Sequence, residues 1–177
     1  MTVRWFRVAV VSLLAVLVLV AMPIGASANP GDLDPSYGGG DGQVTTAFPD
    51  GAAYVNAAAL QSDGKLVVAG DVQRSSNDSV FALARYTVNG ALDHSFGNEG
   101  RVETDFTAGE DHIRGVFVAK DGSITVAGSA SDRLAAARYH PNGTLDHGFG
   151  GDGKVTVNVG TGDDVAYAIG RSKGGKV

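Results

Sequence analysis

The sequence predicts an all-β chain: a partial β-propeller of four-stranded antiparallel blades, with two full repeats and part of a third. Three observations carry that prediction. The stretch Ala84–Gly97 returns as Ala137–Gly150, and its second half stands earlier as Leu33-Asp34-Pro35-Ser36-Tyr37-Gly38. The segments between the copies alternate apolar and polar residues, with β-branched and aromatic side chains on one face, the period of a strand. Asp-Gly and Asn-Gly dipeptides separate the apolar runs, where antiparallel strands turn back.

Leu33, Leu92 and Leu145 set the phase, with spacings of 59 and 53 residues. The repeats therefore run over about 33–91, 92–144 and, incompletely, 145–177. The first strand of each copy follows a glycine turn: Val44, Thr46, Phe48, then Val102, Thr104, Phe106, then Val155, Val157, Val159. The second is expected over about 55–61, 113–119 and 166–172. The third is expected over 65–70 and 123–128, and the fourth over 81–87 and 134–140. Asp63-Gly64 and Asp121-Gly122 predict type I′ hairpins, which need positive φ at both central residues. The extra length of the first copy falls in two turns, one of them Asp71–Ser79, which reads as a copy-specific loop. Ala57, Ala59 and Ala69 align with Gly115, Phe117 and Ala127. Small residues there fit sheets that converge face to face, and four short strands per repeat suggest propeller blades.

The order Leu-Asp-x-Ser-Phe-Gly, Asp-Gly-Lys-Leu-Val-Val-Ala-Gly, Phe-Ala-Leu-Ala-Arg-Tyr, Asn-Gly resembles the delta-60 repeat family, a DUF5122-type β-propeller repeat. The resemblance covers residues 29–177 and implies an exported bacterial protein built of blades in array. Pro35 and Tyr37 depart from the pattern in the first copy, and Gly148 in the third. Gly175-Lys176-Val177 aligns with Gly64-Lys65-Leu66, so the third copy lacks its last two strands. Propellers close with roughly four to eight blades. The expectation is a fragment of a longer array, with self-association through open blade edges as the alternative.

Residues 1–28 read as a signal peptide. Arg4 and Arg7 precede an apolar run from Val8 to Ala21, and Ala26-Ser27-Ala28 is a small-x-small cleavage pattern. The run is shorter than the roughly 20 residues of a spanning helix. The expectation is a secreted or cell-surface protein with no stable membrane insertion after cleavage. Of 14 basic residues, the two arginines leave with the signal, so 12 basic face 19 acidic side chains, a net of −7. That balance argues against nucleic acid as a partner. With no cysteine, disulfides, thiol catalysis and thiolate metal sites are excluded.

The titratable residues suggest no catalytic, cofactor or metal site. His94 and His147 are equivalent, but His112 and His140 are not repeated, and no zinc spacing occurs. Asp-Gly turns at Asp41, Asp50, Asp63, Asp121 and Asp152 admit calcium. Asx-turn bonding explains them without it. Asp34, Asp93 and Asp146 recur, as do Arg85 and Arg138, and a pair repeated once per copy is architectural: we expect an Arg–Asp contact, or bonds from each to turn backbone, to pin the junction between copies. Gly148–Gly153 satisfies Gly-x-Gly-x-x-Gly, but a strand-like segment follows where a dinucleotide site needs a helix. The functional expectation is a non-enzymatic binding or scaffold module for an extracellular protein or glycan. The alternative is a fragment of a propeller hydrolase or lyase whose active site lies on blades outside this chain. The segment Asp71–Ser79 is the first place to expect a ligand contact.

Overall fold

A computed structural model describes residues 31–170. The expected signal segment and the end of the third copy lie outside the described residues. The unit that begins at Leu33 holds eight strands in two antiparallel sheets. The first sheet is β1 (Ala52–Leu60), β2 (Leu66–Ser75), β3 (Asp78–Tyr86) and β4 (Arg101–Thr104), in that order across the sheet. The second is β5 (Asp111–Val118), β6 (Ile124–Ala130), β7 (Arg133–Tyr139) and β8 (Lys154–Val157). All-β architecture and four-stranded blades are as the periodicity predicts, and the two sheets do not close into a ring.

The sheets are phased differently from the sequence copies. Each sheet takes three strands from one copy and its last strand from the next: Leu83 pairs with Val102, and Ala136 with Val155. The strand after the glycine loop thus completes the sheet before it. This phase explains a departure. The first-copy segment around Val44–Phe48 forms no strand, only an isolated bridge from Phe48 to Gly51. Among the described residues no third-position strand stands beside it to accept a ladder. Residues 166–170, expected to open the second strand of the third copy, likewise form no strand, and 171–172 lie outside the described residues.

The hairpins also correct the expected turn type. Gly64 and Gly122 have φ of +82°, but Asp63 and Asp121 are not in the positive region. Gln61 N–H bonds Lys65 O at 2.8 Å and Ala119 N–H bonds Ser123 O at 2.9 Å. Each loop is therefore three residues long, a type I turn closed by a left-handed glycine, not a two-residue I′ turn. Asp63 and Asp121 favour this form because their Oδ1 atoms accept the backbone N–H two residues on, at 3.1 Å in both. The tight two-residue turn occurs instead at Ser131-Asp132, where φ is +44° and +65° between the paired Ala130 and Arg133. Asp71–Ser79 is not a loop. Asp71 pairs with Phe81, Val72 with Val80 and Gln73 with Ser79, so the insertion lengthens the β2–β3 hairpin as paired strand, with a register shift between Gln73 and Ser75 before the turn.

A bulge recurs in both sheets, between Val55 and Ala57 and between Ile113 and Gly115. Opposite it stands the glycine of the Val-Ala-Gly run. A Cβ on Gly70 would strike the Tyr54 carbonyl, and one on Gly128 the His112 carbonyl, so no other residue fits.

One core joins the sheets. Val67, Phe81 and Leu83 of the first pack with Ile113, Ile124, Val126, Ala137 and Tyr139 of the second, around Phe96. Tyr139 is fully buried, and its hydroxyl donates to Thr104 Oγ1 on β4 at 2.8 Å. Burial, only partly offset by that bond, holds the phenol well above its usual pKa. The equivalent Tyr86 donates to Thr46 at 2.6 Å, so the same bond ties the first sheet to the segment before it. A turn contact repeats alongside: Gly38 N–H bonds Asn89 O at 3.0 Å, and Gly97 N–H bonds Asn142 O at 2.8 Å. Tyr139→Phe should lower unfolding free energy by about 1–2 kcal/mol in a urea titration, because it leaves the buried Thr104 hydroxyl unpaired.

Candidate functional site

The Arg–Asp pairs expected from the repeat are present. Arg85 Nε donates to Asp93 Oδ2 at 2.8 Å, and Arg138 Nε to Asp146 Oδ2 at 2.7 Å. Backbone geometry aligns them: Asp93 N–H bonds Arg85 O and Asp146 N–H bonds Arg138 O, both at 2.8 Å. Each guanidinium also lies over the phenylalanine three residues beyond its aspartate, Arg85 at 4.6 Å from the Phe96 ring centre and Arg138 at 4.9 Å from that of Phe149. The first pair is the more deeply buried. Arg85 there also reaches Ser95 Oγ and the carbonyl of Pro141 in the turn of the second sheet. Lys65 Nζ adds a second cation, 2.9 Å from Asp93 Oδ2. Burial opposes the Asp93 charge, but hydrogen bonds from Ser95 and Lys65 and the charge of Arg85 outweigh it. They hold the carboxyl well below its usual range.

Lys65, Arg85 and Ser95 of this network line a groove of about 430 Å3 between the β1–β2 and β5–β6 turns. Gln61, Asp63 and Lys65 come from the first turn; Val118, Lys120 and Asp121 come from the second; Pro141 and Asn142 close the far side. Gln61 is only 9% exposed, and its Oε1 is buried with no hydrogen-bond partner among the described residues. A larger recess, about 530 Å3, runs beside Ser36, Val44–Ala47 and Asn89–Leu92. Its walls are the segments joined by the Gly38–Asn89 and Tyr86–Thr46 bonds, so it belongs to the packing of the first sheet.

The histidines do not converge. His94 Nδ1 lies 2.7 Å from Glu99 on the surface, and His140 Nε2 lies 4.0 Å from Asp146. His147 is exposed. His112 crosses between sheets: its Nδ1 is 3.3 Å from Asp71, a buried carboxylate that also accepts from Asn56 Nδ2 at 2.8 Å. The turn aspartates Asp41, Asp63, Asp121 and Asp152 each accept the backbone N–H two residues on, between 3.0 and 3.1 Å. Among the described residues no group of three or more His, Asp or Glu side chains is placed to hold a metal ion. Gly148–Gly153 leads into strand β8, with no helix to bind a pyrophosphate. Arg74, in the lengthened hairpin, is engaged by Glu103 at 2.7 Å and Asp105 at 3.5 Å.

Two residues carry more than the sequence reading gave them. One is Gln61, whose signal was its contrast with Ala119 at the equivalent position. The other is Asp111, which is fully buried where the chain crosses from β4 to β5. Its Oδ2 accepts Phe106 N–H at 2.9 Å, while Oδ1 has no partner among the described residues. Asp164 makes the same bond to Val159 N–H one repeat later. Burial pushes the Asp111 pKa up to about 6, against the Phe106 bond, with nearby Asp105 and Asp78 raising it further and His112 lowering it.

The family described as "Domain of unknown function (DUF5122) beta-propeller" matches residues 61–96 and 119–149. Each matched segment starts at a β1–β2-type turn, runs through two strands and the Arg–Asp pair, and ends at or beside the phenylalanine under the arginine. No curated protein and no solved structure matches the chain.

Arg85→Met should cost about 3–5 kcal/mol, because it leaves Asp93 buried beside only one cation. Arg138→Met should lower the melting temperature less, since that pair is more exposed. Asp111 sets the pH response. A carboxyl whose folded pKa is raised takes up its proton in the folded state first, so stability rises as pH falls through about 6 toward the unfolded value of 3.8. Asp93, with its lowered pKa, works the other way only at pH below the unfolded value. The melting temperature should therefore increase from about pH 7.5 to about pH 5, across the Asp111 midpoint. Asp111→Asn should flatten that rise.

Proposed function

We propose, from a chain that carries two DUF5122 β-propeller repeats, that it serves outside the cell as a non-enzymatic binding module on a blade scaffold. The observation that carries this reading is how the repeated polar side chains are used. Arg85 and Arg138 hold Asp93 and Asp146; Tyr86 and Tyr139 hold Thr46 and Thr104; the turn aspartates hold their own backbone. Residues present once per copy are thus committed to joining strands and sheets. Polar side chains that differ between copies are what remain for recognition, and Gln61 and Lys120 meet in one groove.

The export signal supports placement outside the cell. Expressed with its leader in a bacterial host, the protein should be recovered from the periplasm or medium with Asn29 as its first residue. An intact Met1 on material retained in the cytoplasm would sink the localisation. Incubation with soluble polysaccharides should release no new reducing ends over days. Steady release that follows the purified protein through gel filtration would replace the binding reading with a hydrolase or lyase.

A further inference from the structure

We infer that the groove between the β1–β2 and β5–β6 turns is a carbohydrate site, recognising the vicinal hydroxyls of an uncharged sugar chain. The inference rests on the binding-module reading above and names its ligand.

Three features of the groove select that chemistry. The first is the Gln61 amide: Gln61 lines the groove, its Oε1 is buried with no partner among the described residues, and such an orphan acceptor gains a hydrogen bond if the amide turns out to a ligand donor. The second is charge. Asp63 and Asp121 stand on the two turns against Lys120 and the Lys65–Arg85 pair, which Asp93 beneath them already engages. The lining is close to neutral in sum, so neither a strongly anionic nor a cationic ligand is favoured. It offers carboxylate and amide acceptors beside an ammonium donor. A hydroxyl both donates and accepts, so adjacent sugar hydroxyls satisfy such a mixed set where a carboxylate or an amine would satisfy half of it.

The third feature is the frame. The groove is lined mainly by turn residues, and it meets the edge strand β5 only at its last residue, Val118, so it offers a peptide too short a backbone ladder to pair along. Val118 and Pro141 give it a small apolar surface for the C–H face of a ring. Its volume of about 430 Å3 falls within the range of small-ligand sites. Gln61 and Lys120 are copy-specific, aligned with Ala119 and Ser62, as a site grafted onto a repeat requires.

The test is a nitrogen-15 NMR titration of the mature chain with maltotetraose, cellotetraose and a Gly-Ser-Gly-Ser peptide at millimolar concentrations. At least one tetrasaccharide should shift the Gln61 side-chain amide and the backbone amides of 62–64 and 119–122. The peptide should not. Gln61→Met, which removes the orphan acceptor at nearly constant volume, should weaken the sugar response about tenfold without lowering the melting temperature. Lys120→Met, on the exposed turn, provides a second variant that leaves the core untouched and should also weaken it. Shifts from the peptide alone would overturn the inference, as would sugar shifts that neither variant changes, or no shift from either sugar. Reducing-end assays on the same samples separate the two readings. Sugar shifts with release of new ends keep the carbohydrate site and remove the non-enzymatic module. No shifts and no release remove the site and leave the module.

Discussion

The arginine at the end of each third strand is the contact on which the rest of this architecture depends. Arg85 sits where β3 leaves the sheet. In one side chain it ties the strand to its own Leu-Asp loop through Asp93 and Ser95, and to the second sheet through the Pro141 carbonyl. The loop it fixes delivers β4 back to the edge of β3. Without that anchoring, the glycine turn after Phe96 would have many directions to leave in. The planar fork of a guanidinium suits the task, since it can hold a carboxylate, a hydroxyl and a carbonyl at once while its face rests on Phe96. Arg138 repeats the carboxylate and ring contacts, which is why the same geometry appears twice.

Buried polar groups, rather than apolar area alone, set the spacing between sheets. Tyr139 crosses to Thr104, Ser79 Oγ accepts Asp111 N–H and donates to Asp111 O, and His112 meets Asp71. A buried polar group must find its partner, so these bonds fix one register between sheets that apolar packing alone would leave loose. Asp111 departs from this pattern: its Oδ2 accepts Phe106 N–H, and its Oδ1 has no partner among the described residues. Its charge opposes folding near neutral pH, and the connection from β4 to β5 is where that tension is held.

Repeated and unrepeated polar residues are used differently in this chain. Side chains that recur once per copy close hydrogen bonds within the scaffold. Side chains that do not recur, such as Gln61 and Lys120, come together between two turns far apart in sequence. A periodic fold makes that division natural, because a residue needed at every junction cannot also mark one place on the surface.

Much of the fold was legible in the sequence. The alternation that begins at Val102 and at Val155, the Asp-Gly and Asn-Gly breaks, and the Arg to Leu-Asp interval map in turn onto strands, turns and ion pairs. These are local facts, fixed by backbone sterics and by side-chain period. What the chain order could not show was which strand would lie beside which. Val102 continues its copy in sequence, yet it completes the sheet of the copy before it, and Val44–Phe48 forms no strand, with no such neighbour beside it among the described residues. The Asp71–Ser79 segment reads as a loop until β3 is seen to pair along it. The sequence by itself determined the repeat, its strands and its anchoring pairs. Tertiary structure alone decided the sheet boundaries, the burial of Asp111 and the place of Gln61. Each of those depends on a partner brought in from another copy, and such proximity has no signature along the chain.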